Sequence, residues 1–177
     1  PRGRPVSSRL PGLPDICNKM IENVEEANMS NKSQELNMRR LAALLSQDLS
    51  YIGGERECGP NGAKRTFLNV GKTFLRALAK DLCLHDVTVR SNAGGIAVSG
   101  ECCLYGMWEN NGIFIEISQS CCSWVGPVLY RTIRNAHDHK GGHNRYLSLN
   151  DLKKCSYNEI LERFSSLRKG YGCERAA

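Results

Sequence analysis

Apolar residues recur at helical spacing in four stretches of the chain, and each stretch predicts an amphipathic helix. The first two lie within residues 15–50, separated by a polar break at Asn28–Ser33, and predict an antiparallel helical hairpin. The third predicts a helix over residues 64–84, whose lysines and arginines lie mostly off the apolar face. The fourth follows a capping-box motif, Ser156 with Glu159, and predicts a C-terminal helix. In chain order the apolar positions are Ile16, Met20, Ile21 and Val24; Met38, Leu41, Leu44, Leu45 and Leu49; Phe67, Val70, Phe74, Leu78 and Leu82; and Ile160, Leu161, Phe164 and Leu167.

Between the third and fourth helices, apolar residues alternate with polar ones, which is the period of a β-strand. The alternation begins at Val87–Val89, and residues 113–118 place three isoleucines on one strand face and Phe114, Glu116 and Ser118 on the other. A turn is predicted at residues 92–95. A hairpin turn is predicted at Asn110-Asn111-Gly112, because Asn-Gly tolerates the positive φ angles of such turns. Residues 124–133 predict one further strand, interrupted by Gly126-Pro127.

The order of these elements predicts an α+β fold with N-terminal helices, an antiparallel sheet of three to five strands and a C-terminal helix. The sheet is expected to be antiparallel because hairpin turns, and not crossover helices, connect its strands. We expect three parts: an extended basic arm at 1–14, where four prolines disfavour a helix, the helical hairpin at 15–50, and an α+β core domain at 64–170.

Composition narrows the class of protein. No apolar run approaches the roughly 18 residues of a membrane span, and no secretory signal is recognisable. The nine cysteines are odd in number and include no CxxC motif, which disfavours a secreted disulfide framework and predicts reduced thiols in a cytoplasmic protein. The formal net charge of +6 favours nucleic acid, a complex that handles it or an acidic protein surface as the partner. An ordinary solvated surface is the alternative. The oligomeric state stays open.

The N-terminal residues Pro1-Arg2-Gly3-Arg4-Pro5 resemble the core of an AT-hook, a short motif that binds the DNA minor groove. In that motif the glycine lets the backbone sit deep in a narrow groove. Arg2 and Arg4 would then extend along the groove floor, where the potential is most negative. A chance basic arm is the alternative interpretation.

Three of the four histidines fall within the segment His137–His143. In an extended chain His137 and His139 point to the same side, and His143 would close around a metal after the Gly141-Gly142 turn. Three histidines with a water molecule form a known catalytic zinc arrangement. A polar surface loop with solvated histidines is the alternative.

The same region is rich in cations that suit phosphate contact. Tyr130 and Tyr146 flank it and would supply base stacking. The cations are Arg131, Arg134, Lys140 and Arg145. Lys64 and Arg65 follow a glycine-rich loop and would meet an anion at the start of the third helix. A solvated connection is the alternative for the region around residues 131–146, and a plain connector is the alternative for the glycine-rich loop before Lys64.

Five short segments carry a resemblance that covers about half of the chain. They are 74–82 (FLRALAKDL), 92–100 (NAGGIAVSG), 115–120 (IEISQS), 130–132 (YRT) and 141–146 (GGHNRY). In these segments the chain resembles small accessory proteins of phages, plasmids and integrative elements. The resemblance implies no catalytic residues, and it implies inhibition of a CRISPR effector nuclease as one role.

We therefore expect a non-catalytic protein of a mobile element that binds nucleic acid or a ribonucleoprotein. The most specific form of this hypothesis is an anti-CRISPR inhibitor of an effector nuclease. One alternative is a metal-dependent hydrolase or nuclease that uses zinc at His137, His139 and His143. A second alternative is a protein–protein adaptor. No cofactor is expected under the first hypothesis.

Overall fold

The computed structural model describes residues 31–47, 49, 62–95, 98–119, 125–135, 137–138 and 141–169. Within these segments the chain has an α+β fold. The chain divides into two units, residues 1–33 and 34–177, and the described residues belong to the second unit, apart from the helical residues 31–33. The predicted arm at 1–14 and the first helix of the predicted hairpin lie outside the described residues.

Four α-helices are described. Helix α1 covers residues 31–45, so the predicted polar break is wrong at residues 31–33. Two of those three residues are exposed, which means that their polarity marks the solvent side of a helix. The third predicted helix is confirmed as α2, and a short helix precedes the confirmed C-terminal one. The bounds are Ala63–Asp81 for α2, Leu149–Lys154 for α3 and Tyr157–Ser165 for α4, with a 3-10 turn at Ser166–Lys169.

Helices α3 and α4 each begin at a capping box. Ser148 accepts a hydrogen bond from the Asp151 amide, and Asp151 accepts one from the Ser148 amide in return. Ser156 and Glu159 repeat this exchange at α4, as predicted. Each reciprocal pair gives a hydrogen-bond acceptor to two backbone amides that would otherwise lack a partner at the start of the helix.

The sheet has five antiparallel strands in chain order, and this order confirms the predicted sheet. Successive strands are neighbours throughout, so the sheet is a meander. The strands are β1 His85–Asn92, β2 Glu101–Met107, β3 Gly112–Ser118, β4 Val128–Ile133 and β5 Arg145–Leu147. Strand β4 starts after Gly126-Pro127, because proline cannot donate a ladder hydrogen bond.

The predicted hairpin between β2 and β3 is present, but Gly112 is required there for a reason other than the predicted turn geometry. Its loop is Trp108–Asn111, closed by a 2.7 Å hydrogen bond from the Trp108 amide to the Asn111 carbonyl, while Gly112 belongs to β3. Gly112 is not among the described residues with positive φ. A Cβ atom there would collide with Met107 and with the Gly106 carbonyl oxygen. Close packing, and not turn geometry, therefore requires this glycine.

The two faces of the sheet differ. The three isoleucines of β3 lie on the face that joins the main core, where all are fully buried, as the alternation predicts. Helix α1 contributes to this same core through Met38, Leu41 and Leu45. The opposite face carries a smaller cluster of Cys103, Phe114 and Ile133. Among the described helices, none contributes to that second cluster.

Cys102 and Cys103 are neighbours in β2 and face opposite sides of the sheet, as the strand period requires. Both thiols are free, as are those of Cys83 and Cys155. Burial raises the pKa of each β2 thiol from 9.0 to about 12. These two cysteines therefore behave as small core residues that stay protonated at neutral pH.

The raised thiol pKa values predict a loss of stability in alkali. Above pH 9 the unfolded chain releases these two protons while the folded chain retains them. The free energy of unfolding is therefore expected to fall by about 1.4 kcal/mol per pH unit for each thiol. Urea unfolding under reducing conditions at pH 8, 9 and 10 measures this. Cys102→Ala should reduce the loss between pH 9 and 10 by about 1 kcal/mol, because the unfolded thiol is only half-ionised at pH 9. An unchanged loss in that variant would contradict the assignment.

In the part of the chain that the structure describes, none of the helices combines the length and the apolar character needed to cross a bilayer.

Candidate nucleic-acid interface

The outer side of α2 carries a row of cations. Lys72, Arg76 and Lys80 follow Arg65 by seven, eleven and fifteen positions, which is close to two, three and four turns of an α-helix. They therefore share one side of the helix. Arg65, Arg76 and Lys80 are exposed and Lys72 is half-buried. The opposite side of α2 holds its core residues, such as Phe67 and Phe74, so the cations point away from the sheet.

Helix α1 adds a fifth cation, the exposed Arg40, beside this row. Between the two helices lies a groove of about 310 Å³, which we call the polar groove. Its described lining residues are Asn37 and Arg40 of α1 and Thr66, Asn69, Val70 and Thr73 of α2. We call Arg40, Arg65, Lys72, Arg76 and Lys80 together the basic face.

The polar groove exists because the two helices share one core. On α1, Leu41 is 1% exposed. On α2, Gly71 lies where the helix meets the sheet and has no side chain to keep the two apart. A Cβ atom at Gly71 would lie 2.7 Å from the Cys102 sulfur and 3.9 Å from a Leu41 methyl carbon. This glycine therefore lets α2 approach both β2 and α1 closely.

The basic face is not neutralised by the described acidic residues. Asp81, the acidic residue of α2, accepts a 2.6 Å hydrogen bond from the Tyr157 hydroxyl. Glu35 of α1 pairs with Arg39 at 3.1 Å. The ion pairs found among the described residues involve no cation of the basic face. Neighbouring like charges without a compensating carboxylate create a positive potential that attracts polyanions.

Of the two cations predicted at the start of α2, Arg65 belongs to the basic face and Lys64 does not. The Lys64 ammonium donates hydrogen bonds to the carbonyl oxygens of Gly95 and Val98, at 2.9 and 2.7 Å. Lys64 therefore ties α2 to the connection between β1 and β2. This placement favours a structural role.

Arg131 also forms internal contacts. Its guanidinium group donates to the backbone carbonyls of Asp138 and Gly141, at 3.1 and 2.9 Å, and lies 5.4 Å from the centre of the Phe114 ring. These bonds hold the loop that follows β4 against the sheet. Asp138 strengthens the same loop by accepting hydrogen bonds from the amides of Arg134 and Gly141.

We expect Arg131→Met to lower the free energy of unfolding by about 1–3 kcal/mol, because two carbonyls lose their donor. Nucleic-acid affinity should stay within twofold of wild type. Urea unfolding and a binding titration measure the two effects, with Arg168→Met, at an exposed position, as the matched control. A stable variant with weakened binding would instead make Arg131 a ligand contact.

The remaining predicted positions are accessible to solvent, buried in the core, or outside the described residues. Arg134 is exposed and Arg145 is half-buried in β5. Tyr130 is 6% exposed and packs edge-to-face on Phe164, so the predicted base stacking on Tyr130 is wrong. Adjacent residues of a strand face opposite sides, and Tyr130 lies on the core side. Arg2, Arg4 and Lys140 lie outside the described residues.

The predicted zinc site stays a prediction, since His139 also lies outside the described residues. His137 and His143 are both exposed. In the described segments, a group of three candidate metal ligands occurs elsewhere, at Glu101, Cys103 and Glu116, with ligand atoms within 4.8 Å of one another. Burial and the two carboxylates raise the pKa of Cys103 to about 12.

The sequence interpretation missed Arg40, Lys72, Arg76 and Lys80 as candidate site residues. A signal for three of them was present, because α2 contains five lysines and arginines and one acidic residue, Asp81. Their spacing of whole helical turns also places them together. Arg40 has no such signal, since its position depends on how α1 packs beside α2.

No protein-family model matches this sequence, and neither a curated protein nor a solved structure is significantly similar to it.

Proposed function

We propose that this protein binds nucleic acid, without catalysis, through the basic face of α1 and α2. The observation that carries the proposal is the row of cations along α2, which no described carboxylate neutralises. A nucleic-acid backbone is a linear array of negative charges, and a linear array of cations is its complement.

The polar groove supports the same proposal. Asn37, Asn69 and Thr66 offer neutral hydrogen-bonding groups beside the cations, while the Thr73 hydroxyl donates to the Asn69 carbonyl at 3.0 Å. Such side chains, with Arg and Lys, make most of the contacts that proteins form with phosphate and sugar oxygens.

The resemblance to mobile-element proteins adds a narrower version of the proposal. In that version the nucleic acid is the one held by a CRISPR effector nuclease, and binding inhibits the enzyme. The five cations of the basic face would then contact the exposed backbone of that nucleic acid.

Fluorescence anisotropy with mixed-sequence oligonucleotides tests the proposal. If all five cations contact phosphates, raising salt from 50 to 200 mM should weaken binding to B-form DNA by about 500-fold. The oligonucleotide should be recovered uncut. Absence of binding at 50 mM salt would refute the proposal. Capture of a protein partner that persists after nuclease treatment would favour the adaptor instead.

A further inference from the structure

We infer that the nucleic acid bound by the basic face is double-stranded; this inference rests on the proposed function and names its ligand class. Duplexes keep their bases stacked inside and present phosphates and sugars on the outside. Single strands expose bases that proteins usually bind by stacking them on aromatic rings. The aromatic residues and the shape of the basic face distinguish these two ligands.

The basic face contains no aromatic residue. None of the described residues that line the polar groove is aromatic, and the aromatic residues of α2, Phe67 and Phe74, are buried in the core. Seven of the nine aromatic residues in the described segments are buried. These seven are Phe67, Phe74, Trp108, Phe114, Tyr130, Tyr157 and Phe164.

The two described aromatic residues that retain exposure, Tyr105 and Tyr146, lie on the other side of the sheet. Their strand partners place them there: Tyr105 is paired with Phe114 of the second cluster, and Tyr146 is paired with Leu129, which packs against that cluster. The guanidinium carbon of Arg90 lies 5.2 Å from the centre of the Tyr105 ring, and the centre of the Phe114 ring lies 4.7 Å from it. A strand bound to the basic face therefore has no described ring on which to stack its bases.

The geometry of the basic face also favours a rigid ligand. Its four α2 cations lie on one continuous helix, and Arg65 and Lys80 are roughly 22 Å apart along the axis at 1.5 Å per residue. That length corresponds to roughly six to seven base pairs of a duplex at 3.4 Å each. Each strand winds around the duplex over that length, so the cations would meet phosphates of both strands, which a duplex presents without first being ordered. A flexible single strand would lose conformational entropy on binding, without stacking energy to offset that loss.

Competition among defined oligonucleotides tests the inference. The probes are a 20-base-pair DNA duplex, an RNA duplex of the same sequence, and the unpaired strands of each, all at one salt concentration. At least one duplex should bind tenfold or more tightly than its own strands. The two duplexes separate the DNA and RNA forms of the ligand. Either duplex that meets this criterion supports the inference.

The variant Asn69→Ala with Thr73→Ala provides a second measurement. Both residues are exposed on α2 and line the polar groove, and alanine favours a helix. This variant should lower duplex affinity by up to about tenfold, because the polar groove loses the Asn69 amide as a donor to the nucleic-acid backbone. Single strands that bind as tightly as duplexes would overturn the inference and leave nucleic-acid binding intact. Failure of every probe to bind would overturn the proposed function itself.

Discussion

Replacing Arg65, Arg76 and Lys80 together by alanine is expected to weaken nucleic-acid binding on the order of 100-fold at low salt. Each lost contact between an exposed cation and a phosphate contributes about 1 kcal/mol, and 3 kcal/mol corresponds to this factor. The slope of log K against log salt should also become shallower by about 2.7 for B-form DNA. All three side chains are exposed, and alanine is the best helix former, so the variant should remain folded.

A control variant removes the same charge elsewhere. Arg134, Arg168 and Lys169 are also exposed but belong to the segments after β4 and α4. Their joint replacement by alanine should change affinity less than fivefold. Equal losses in the two variants would mean that binding responds to net charge alone, and the basic face would then have no special role.

The second large effect concerns the packing that forms the polar groove. Leu41→Ala is expected to lower the free energy of unfolding by about 2–5 kcal/mol, because it leaves a cavity in a close-packed core. Leu41 is 1% exposed and shares its core cluster with residues of α2 and of the sheet. Urea unfolding followed by circular dichroism and by tryptophan fluorescence should report the same shifted transition.

The same helix offers a matched control. Leu36 is 70% exposed, so Leu36→Ala should change stability by less than about 0.5 kcal/mol. If Leu41→Ala were no more destabilising than Leu36→Ala, α1 would not be anchored in the core of the sheet. The polar groove would then lack the rigid wall that our proposals require.

Local patterns in the sequence predicted much of the fold. The alternation in β3 and the capping box at Ser156 depend on neighbours within a few residues, and both are confirmed. The predicted break at Asn28–Ser33 is wrong over residues 31–33, because polar residues on the exposed side of a helix resemble a loop in sequence. Gly112 is required by contacts across the sheet, and local turn preferences do not contain that information.

The candidate site was harder to predict, since it depends on which cations remain unpaired after folding. Arg131 and Lys64 look like phosphate ligands in sequence, yet both donate to backbone carbonyls in the folded chain. Conversely, the α2 cations look like an ordinary solvated helix side. They form a candidate site because α1 lies beside them and because no described acidic residue pairs with them. Both of these properties depend on the tertiary structure.

Amide hydrogen–deuterium exchange of the protein with and without a 20-base-pair duplex tests the central claim most directly. Binding at the basic face should slow exchange along α2 from Arg65 to Lys80 and around Asn37 and Arg40 of α1. The exposed strand β1 and the segment at residues 141–145 should be unaffected. Protection confined to that segment or to β1, with α2 unchanged, would contradict the claim that the outer side of α2 is where this protein meets its ligand.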